Sequence, residues 1–376
     1  MVIREYSKVE LVFSSSESEA VKIALVNLRR DLIRTLDCSV TAGGIIRILV
    51  GTVGNLPELD EKADISKRRA EDGTYRKEAF LIQEKDGELL IAGTDRRGTI
   101  YGIYDFCEWL GVSPWYFFAD VPVRRRSEAV IENGYCKVDY PSVEYRGIFI
   151  NDEEELEHWV WRYMGETTIG VKTYEKIFEL LLRLKLNYIW PAMHVNSFNL
   201  KQENGALANR MGIVVGTSHC DMLMRSNNRE WKPWLAKKGY TDVEYDFSIP
   251  GRNREILKEY WRESVEQNRD FEVSYTVGMR GIHDSGFETK SLEGLTGEKL
   301  LKAKIELLES VMAAQQEILS ETLDTEPMKT FVPYKEVLEL YDNGLKVPED
   351  LTLIWTNDNY GYVRRYPGEK EKARKS

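Results

Sequence analysis

The sequence predicts an α/β fold class, in which an N-terminal α+β accessory domain is followed by an incomplete TIM-like (β/α) barrel. In the second half of the chain, short apolar runs alternate with helical patterns, which is typical of a parallel α/β architecture. These runs end in polar or charged residues, as barrel strands do where their loops converge on a site. Six such runs can be counted, whereas a closed barrel needs eight strands.

The composition describes a soluble protein long enough for two domains. The chain has 376 residues and a net charge of −10, which argues against nucleic acid or an anionic membrane as its main partner. Its four cysteines are scattered without a CxxC pair, so we expect neither a disulfide framework nor a zinc knuckle, and no cofactor. No run reaches transmembrane length and no signal-peptide core opens the chain. A cytoplasmic protein is therefore expected.

Residues 1–138 are predicted to form the accessory domain. A helix is expected over 16–36, a strand over 45–50, and a hairpin around Asp86-Gly87, because this dipeptide favours a tight turn.

A glycine-containing stretch that begins at Gly93 follows a predicted strand and precedes a predicted helix. Its spacing is not GxGxxG and no parallel βαβ unit is expected around it, which disfavours dinucleotide binding. We expect instead that Thr94 or Asp95 caps the helix and that the glycines allow close packing.

Residues 139–376 are predicted to form the partial catalytic barrel, with its strands at 147–150, 186–191, 212–215, 271–277, 330–332 and 351–355. Carboxylates follow these strands, and two carboxylates of unlike pKa are the minimal equipment for glycoside cleavage. The acidic run after the first strand can also be read as the start of a helix, because Asp and Glu favour helix N-termini. The acids at or just beyond strand ends are Asp152, Asp221, Asp284, Glu336 and Asp358.

Other strand-end side chains have two interpretations each. Arg280 could bind a substrate carboxylate through its planar fork, or pair internally with Asp284 or Asp152. Trp190 could be a sugar-stacking platform or an inner-barrel packing residue. Three histidines stand in separate segments without HxH or HExxH spacing, so no metal site is expected; they are His194, His219 and His283.

Six ordered motifs resemble glycoside hydrolase family 115, the xylan α-1,2-glucuronidases. An N-terminal block, GTDRRGTIYG at 93–102, looks like the first domain of that family. The other five motifs are YRGIFINDE at 145–153, LNYIWPAM at 186–193, GTSHC at 216–220, GMRGIHD at 278–284 and WTNDNYGY at 355–362.

This resemblance implies an inverting enzyme that removes glucuronic acid, or its 4-O-methyl ether, from glucuronoxylan or aldouronic oligosaccharides. Asp284 and Glu336 are the catalytic pair that we expect. The substrate-binding residues expected are Asp152, Trp190, His219, Arg280, Asp358 and Asn359.

The sequence departs from the family pattern at the sixth strand, where Asn357 replaces an acid. A non-catalytic carbohydrate-binding relative of the same scaffold is therefore the rival hypothesis. Because only six strands are found, we also expect a truncated chain with unpaired sheet edges, which favour aggregation or a homo-oligomer.

Overall fold

The computed structural model describes residues 1–64, 70–151, 153–358, 360–363 and 365–374, except the side chain of Asp284. The chain divides into two compact units that alternate along the sequence. The first unit contains residues 1–147, 174–188 and 210–213, and the second contains 148–173, 189–209 and 214–376. The domain boundary expected between residues 138 and 139 stays a prediction.

The first unit is built on a mixed sheet flanked by helices. Its sheet has the strand order β3-β2-β4-β6-β5-β8, and a separate antiparallel pair joins β1 to β7. The elements are β1 (Val2–Arg4), β2 (Lys8–Val12), α1 (Glu19–Leu36), β3 (Ser39–Val40), β4 (Ile46–Thr52), α2 (Pro57–Lys62), β5 (Phe80–Lys85), β6 (Glu88–Gly93), α3 (Arg96–Leu110), β7 (Glu128–Val130) and β8 (Cys136–Asp139).

The strand β6 pairs differently on its two sides. It pairs antiparallel with β5, as the predicted hairpin requires, but parallel with β4 on its other side. The strand that leads into the glycine-containing stretch therefore has one parallel neighbour, because the hairpin signal fixes only one neighbour of a strand and leaves the other open. Leu49, Leu81 and Leu90, one residue from each of these strands, are buried in one apolar cluster.

The glycines of this stretch serve close packing, as predicted. Asp95 caps α3 by accepting the N–H of Gly98 at 2.9 Å. A Cβ at Gly98 would lie 2.2 Å from the carbonyl oxygen of Ala79, and one at Gly93 would lie 2.0 Å from the nitrogen of Thr99. Only glycine fits at such separations, so α3 lies directly against the β5–β6 hairpin.

The predicted strands of the second half all form. Three of them make a sheet in the order β11-β10-β9, and three make a sheet in the order β12-β13-β14. The elements are β9 (Gly147–Phe149), α4 (Glu153–Tyr163), α5 (Val171–Arg183), β10 (Tyr188–Trp190), α6 (Gln202–Met211), β11 (Val214–Val215), α7 (Trp231–Lys238), α8 (Arg252–Asn268), β12 (Ser274–Thr276), α9 (Gly297–Thr322), β13 (Met328–Phe331), α10 (Glu336–Asp342), β14 (Thr352–Leu353) and α11 (Glu369–Lys372).

The two sheets follow one another in chain order. β12, β13 and β14 pair in parallel, and a parallel bridge between Val215 and Val273 connects β11 to the segment that enters β12. Helices α8 and α9 pack together, and both carry fully buried residues, among them Trp261 and Leu308. The fold is therefore mixed α/β, as expected.

Within the described part of the chain, no helix combines the length and the apolar character that crossing a bilayer would demand.

Candidate active site

A polar cavity of about 250 Å³ opens among the loops that follow β9 to β12 in the second unit. Its wall combines imidazole, amide, carboxyl and thiol groups, all from segments that directly follow strands or begin the next helix. We call it the polar cavity. Its lining includes Asn151, Glu154, His194, His219, Asp221 and His283.

Glu153 fixes the loop that follows β10. Its carboxylate accepts the backbone N–H groups of His194, Val195 and Asn196 at 2.6, 2.9 and 2.9 Å. The side chain of Asn196 donates to the same carboxylate at 3.1 Å. Glu153 begins α4 and is buried, so one acid of the predicted cluster is occupied in holding backbone.

Two groups on the cavity wall have their pKa values shifted toward the neutral form. Burial lowers the pKa of His219 to about 4, and the charges of Arg280 and Lys335 act in the same direction. Burial, together with the charges of Glu230 and Glu153, raises the pKa of Asp221 well above its usual value. Both shifts favour the uncharged form, and with a pKa of about 4 the His219 imidazole is neutral at pH 7.

Arg280 and Glu336 form a bidentate ion pair. Nε and Nη2 of the guanidinium donate to the two carboxylate oxygens at 2.9 and 2.8 Å. The Phe287 N–H donates to the same carboxylate at 3.2 Å. The internal partners that we expected for Arg280, the side chains of Asp284 and Asp152, lie outside the described residues, so that expectation stays a prediction. Glu336, which lies 56 residues away in the chain, is a partner that the sequence did not indicate.

Tyr334 lies between this ion pair and the polar cavity. Its ring is 4.5 Å from the ring of His219, edge to face, and 5.7 Å from the guanidinium carbon of Arg280. Three predicted site residues, His219, Arg280 and Glu336, are thus brought around one aromatic ring. Tyr334 lies two residues before Glu336, directly after the fifth predicted strand, but no signal in the sequence marked it as a site residue.

A second cavity, of about 360 Å³, lies on the other side of Tyr334 and is called the aromatic cavity. Trp355, Tyr360 and Asp358 contribute to its lining. The carboxylate of Asp358 accepts the N–H groups of Tyr360 and Tyr362 at 2.9 and 3.0 Å. Asp358 therefore closes a turn at the edge of the aromatic cavity.

The remaining predicted site residues have separate placements. Trp190 is half-buried and packs edge to face on Phe149 with ring centroids 5.4 Å apart, and Phe149 lines the polar cavity. Asn357 is exposed and bridges to Val363. Asp152 and Asn359 lie outside the described residues.

The backbone of Asp284 belongs to a single 3-10 turn, Ile282–Asp284, that follows β12. His283 in this turn has φ 57° and ψ 47°, in the left-handed region. Its ring lies 4.2 Å from the ring of His194, centroid to centroid. Across the described residues, no three His, Cys, Asp or Glu side chains are grouped so that they could hold a metal ion.

The sequence profile of glycosyl hydrolase family 115 matches residues 138–376. The chain is also similar to a solved structure described as a novel family 115 4-O-methyl-α-glucuronidase with specificity for decorated arabinogalactans. The TM-score is 0.87 at 35% identity, and the match covers 100% of this chain and 48% of that one. A comparison with curated proteins found no match.

More distant structures share the fold alone. A family 20 chitobiase from Flavobacterium johnsoniae has a TM-score of 0.52 at 12% identity, covering 96% of this chain and 55% of that one. An exo-β-N-acetylglucosaminidase from Vibrio harveyi has a TM-score of 0.51 at 14% identity, covering 94% and 54%. The chain thus spans about half the length of these solved structures.

Proposed function

This chain belongs to glycosyl hydrolase family 115, and from that membership we propose that it removes glucuronic acid or its 4-O-methyl ether from a polysaccharide. One observation carries the proposal. Over its whole length the chain is 35% identical to a structure described as a 4-O-methyl-α-glucuronidase. The second unit is proposed to be the front part of a (β/α) barrel, and the first unit an accessory domain.

The polysaccharide has two candidate classes. The resemblance to xylan α-1,2-glucuronidases favours glucuronoxylan or its aldouronic oligosaccharides. The described specificity of the 35% identical structure favours decorated arabinogalactans. Release of uronic acid from purified samples of each, measured by anion-exchange chromatography, separates the two classes.

We propose an inverting mechanism with Asp284 and Glu336 as its carboxyl pair. Glu336 is salt-bridged to Arg280, so it is presented as a carboxylate, the form that can take a proton from the attacking water. Asp284 would protonate the glycosidic oxygen from the opposite side. This assignment needs a separation of roughly 6.5–9.5 Å between the two carboxyl groups, which leaves room for the water.

The proposed binding residues surround that pair. His219, neutral at pH 7, would hydrogen-bond a sugar hydroxyl, as would Asp152 and Asn359, and Trp190 would stack on a ring. Arg280 has two proposed roles. Its guanidinium donates to Glu336 and could position that carboxylate, and its positive charge could also bind the carboxylate of a uronate. In the variant Arg280→Lys, a rise in KM indicates uronate binding, and a fall in kcat indicates positioning of Glu336.

The test of the function compares Glu336→Gln with Glu339→Gln. Both residues lie on α10, but Glu339 is exposed. We expect Glu336→Gln to lower kcat at least about 100-fold, because the amide cannot accept a proton from water. Glu339→Gln should retain activity. Equal activity of the two variants, or the α anomer as the first product in an NMR time course, would contradict the mechanism.

A non-catalytic carbohydrate-binding protein is the second candidate, and Asn357 in place of an acid favours it. On this hypothesis, the wild-type chain binds glucuronic acid without releasing it from oligosaccharides. Asn357→Asp would then restore turnover. A fully active wild type whose turnover is unchanged by Asn357→Asp excludes this candidate.

A further inference from the structure

One buried amide ties together two of the loops at the polar cavity. Asn227 is 2% exposed. Its Nδ2 donates to the carbonyl oxygen of Cys220 at 3.0 Å and to that of Gly281 at 3.1 Å. Its Oδ1 accepts the backbone N–H of His283 at 3.2 Å. The side chain therefore uses both donor hydrogens and its acceptor on backbone groups.

The two loops follow different strands. Cys220 is in the loop after β11, and Gly281 and His283 are in the loop after β12 that continues to Asp284. Asn227 bonds the second loop on both sides of Ile282. It thereby fixes the direction in which the chain enters Asp284.

The turn that Asn227 holds is strained. His283 adopts a left-handed backbone conformation, which residues with a Cβ rarely adopt without support from their surroundings. The hydrogen bond from its own N–H to Asn227 is such a support. Without that bond, the segment would relax toward a more populated conformation and would carry Asp284 with it.

The neighbours of Asn227 hold a third loop. The Ser226 hydroxyl donates to the carbonyl oxygen of Met193 at 3.2 Å, and Asn228 Nδ2 donates to that of His194 at 3.1 Å. Segment 226–229 thus fastens the loops that follow three successive strands.

We infer that Asn227 is a positioning residue, which sets the placement of Asp284 by holding the Gly281–Asp284 turn against the loop after β11. This inference rests on the proposed function, in which Asp284 is a catalytic carboxyl. A positioning residue affects the chemical step more than substrate binding, because a small misplacement of a reacting group lowers the rate steeply.

A matched control exists in the same unit. Asn253 is also buried and makes the same three kinds of bond. Its Nδ2 donates to the carbonyl oxygens of Glu244 and Asp246, and its Oδ1 accepts the N–H of Glu244. Asn253 is not among the residues that line the polar or the aromatic cavity. Asn227→Ala and Asn253→Ala therefore remove equivalent bonds at different places.

The experiment measures steady-state kinetics, Tm and amide hydrogen exchange for the two variants in the full chain. We expect Asn227→Ala to lower kcat roughly 10- to 100-fold with KM within about twofold. Exchange of the amides in 281–285 should quicken. Asn253→Ala should show a similar loss of Tm, with kcat and exchange at 281–285 unchanged.

Two results overturn the inference in different ways. If the wild type is active and Asn227→Ala keeps the wild-type kcat, the positioning role is wrong and the proposed function stands. The same conclusion holds if Asn227→Ala and Asn253→Ala lower kcat by the same factor. If the wild type releases no uronic acid, the proposed function fails and takes the catalytic role of Asn227 with it. In that case the exchange data still report whether Asn227 holds the turn.

Discussion

Two clusters of buried ionisable groups show opposite pKa shifts: the ion-pair network around Arg183 in the first unit and the wall of the polar cavity in the second. In the first unit, the Arg183 guanidinium donates to Asp31 at 2.6 Å and to Glu179 at 2.9 Å, and Arg30 donates to Glu179 at 2.7 Å. Burial raises the pKa of Glu179, but the charges of Arg183 and Arg30 outweigh it and bring it to about 2. On the wall of the polar cavity, by contrast, burial determines the direction of the pKa shifts.

Three groups on the wall of the polar cavity show this effect of burial. The pKa of Asp221 rises, that of Cys220 rises to about 12, and that of His219 falls to about 4, in each case chiefly through burial. All three shifts favour the uncharged form. The pKa of a buried acid thus falls where neighbouring cations outweigh burial, as at Glu179, and rises where burial dominates, as at Asp221.

Removing the central cation of the first unit should have the largest effect on stability. Arg183→Met leaves Asp31 and Glu179 buried with Arg30, and for Glu179 also the more distant Lys176, to neutralise them. We expect a loss of about 3 kcal/mol or more in the free energy of unfolding, measured in urea. A loss below about 1 kcal/mol would show that Asp31 and Glu179 are not charged in the folded chain. The Arg183 network would then not differ from the wall of the polar cavity in this respect.

The acid dependence of stability should depend on Glu179. Its pKa is lower in the folded than in the unfolded chain, so its contribution is complete above about pH 4.5 and is lost as the pH falls toward about 2. The difference in unfolding free energy between wild type and Glu179→Gln should therefore shrink by about 3 kcal/mol over that window. A difference that stays constant with pH would contradict the assignment.

Asp221 should show the opposite slope. Because its pKa is raised in the folded chain, the folded state binds the proton more tightly, and wild-type stability declines as the pH rises above about 3.8. Asp221→Asn removes that decline, so its free energy of unfolding should rise relative to that of the wild type between about pH 3.8 and pH 7. Parallel stability curves for the two proteins would show that Asp221 is ionised in the folded state.

Removing an exposed ion pair should have the smallest effect on the free energy of unfolding. Arg262 donates to Glu321 at 2.9 Å with both side chains well exposed. Arg262→Met should change the unfolding free energy by less than about 1 kcal/mol, because solvent screens the pair. A change as large as that of Arg183→Met would mean that burial does not determine how much an ion pair contributes to stability.

The strands were predictable from sequence, whereas the charge partners were not. The runs around Ile148, Ile189 and Tyr275 are short and bounded by polar residues, and these local properties predicted β9, β10 and β12. The helical patterns that alternate with these runs likewise predicted helices, among them α8 and α9. Local patterns suffice where a segment's own periodicity determines its structure.

The site depends on contacts that are distant in sequence. Arg280 pairs with Glu336, 56 residues away in the chain, because the loops after β12 and β13 converge in space. In the sequence, Glu153 resembles any acidic residue at the start of a helix. The backbone N–H groups that its carboxylate accepts belong to the loop after β10, which is about 40 residues away in the chain. Asn227 carried no signal, since a lone Asn outside any periodic pattern resembles a turn residue.

The interleaving of the two units has a consequence for synthesis on the ribosome. The first unit includes residues 174–188 and 210–213, and these supply Glu179 and Arg183 to the network around Asp31. Until they emerge, Asp31 lacks its closest cation and the unit cannot complete its fold. Synthesis proceeds at about 5–20 residues per second. Residues 1–147 therefore remain incompletely folded for several seconds, during which a chaperone can bind them.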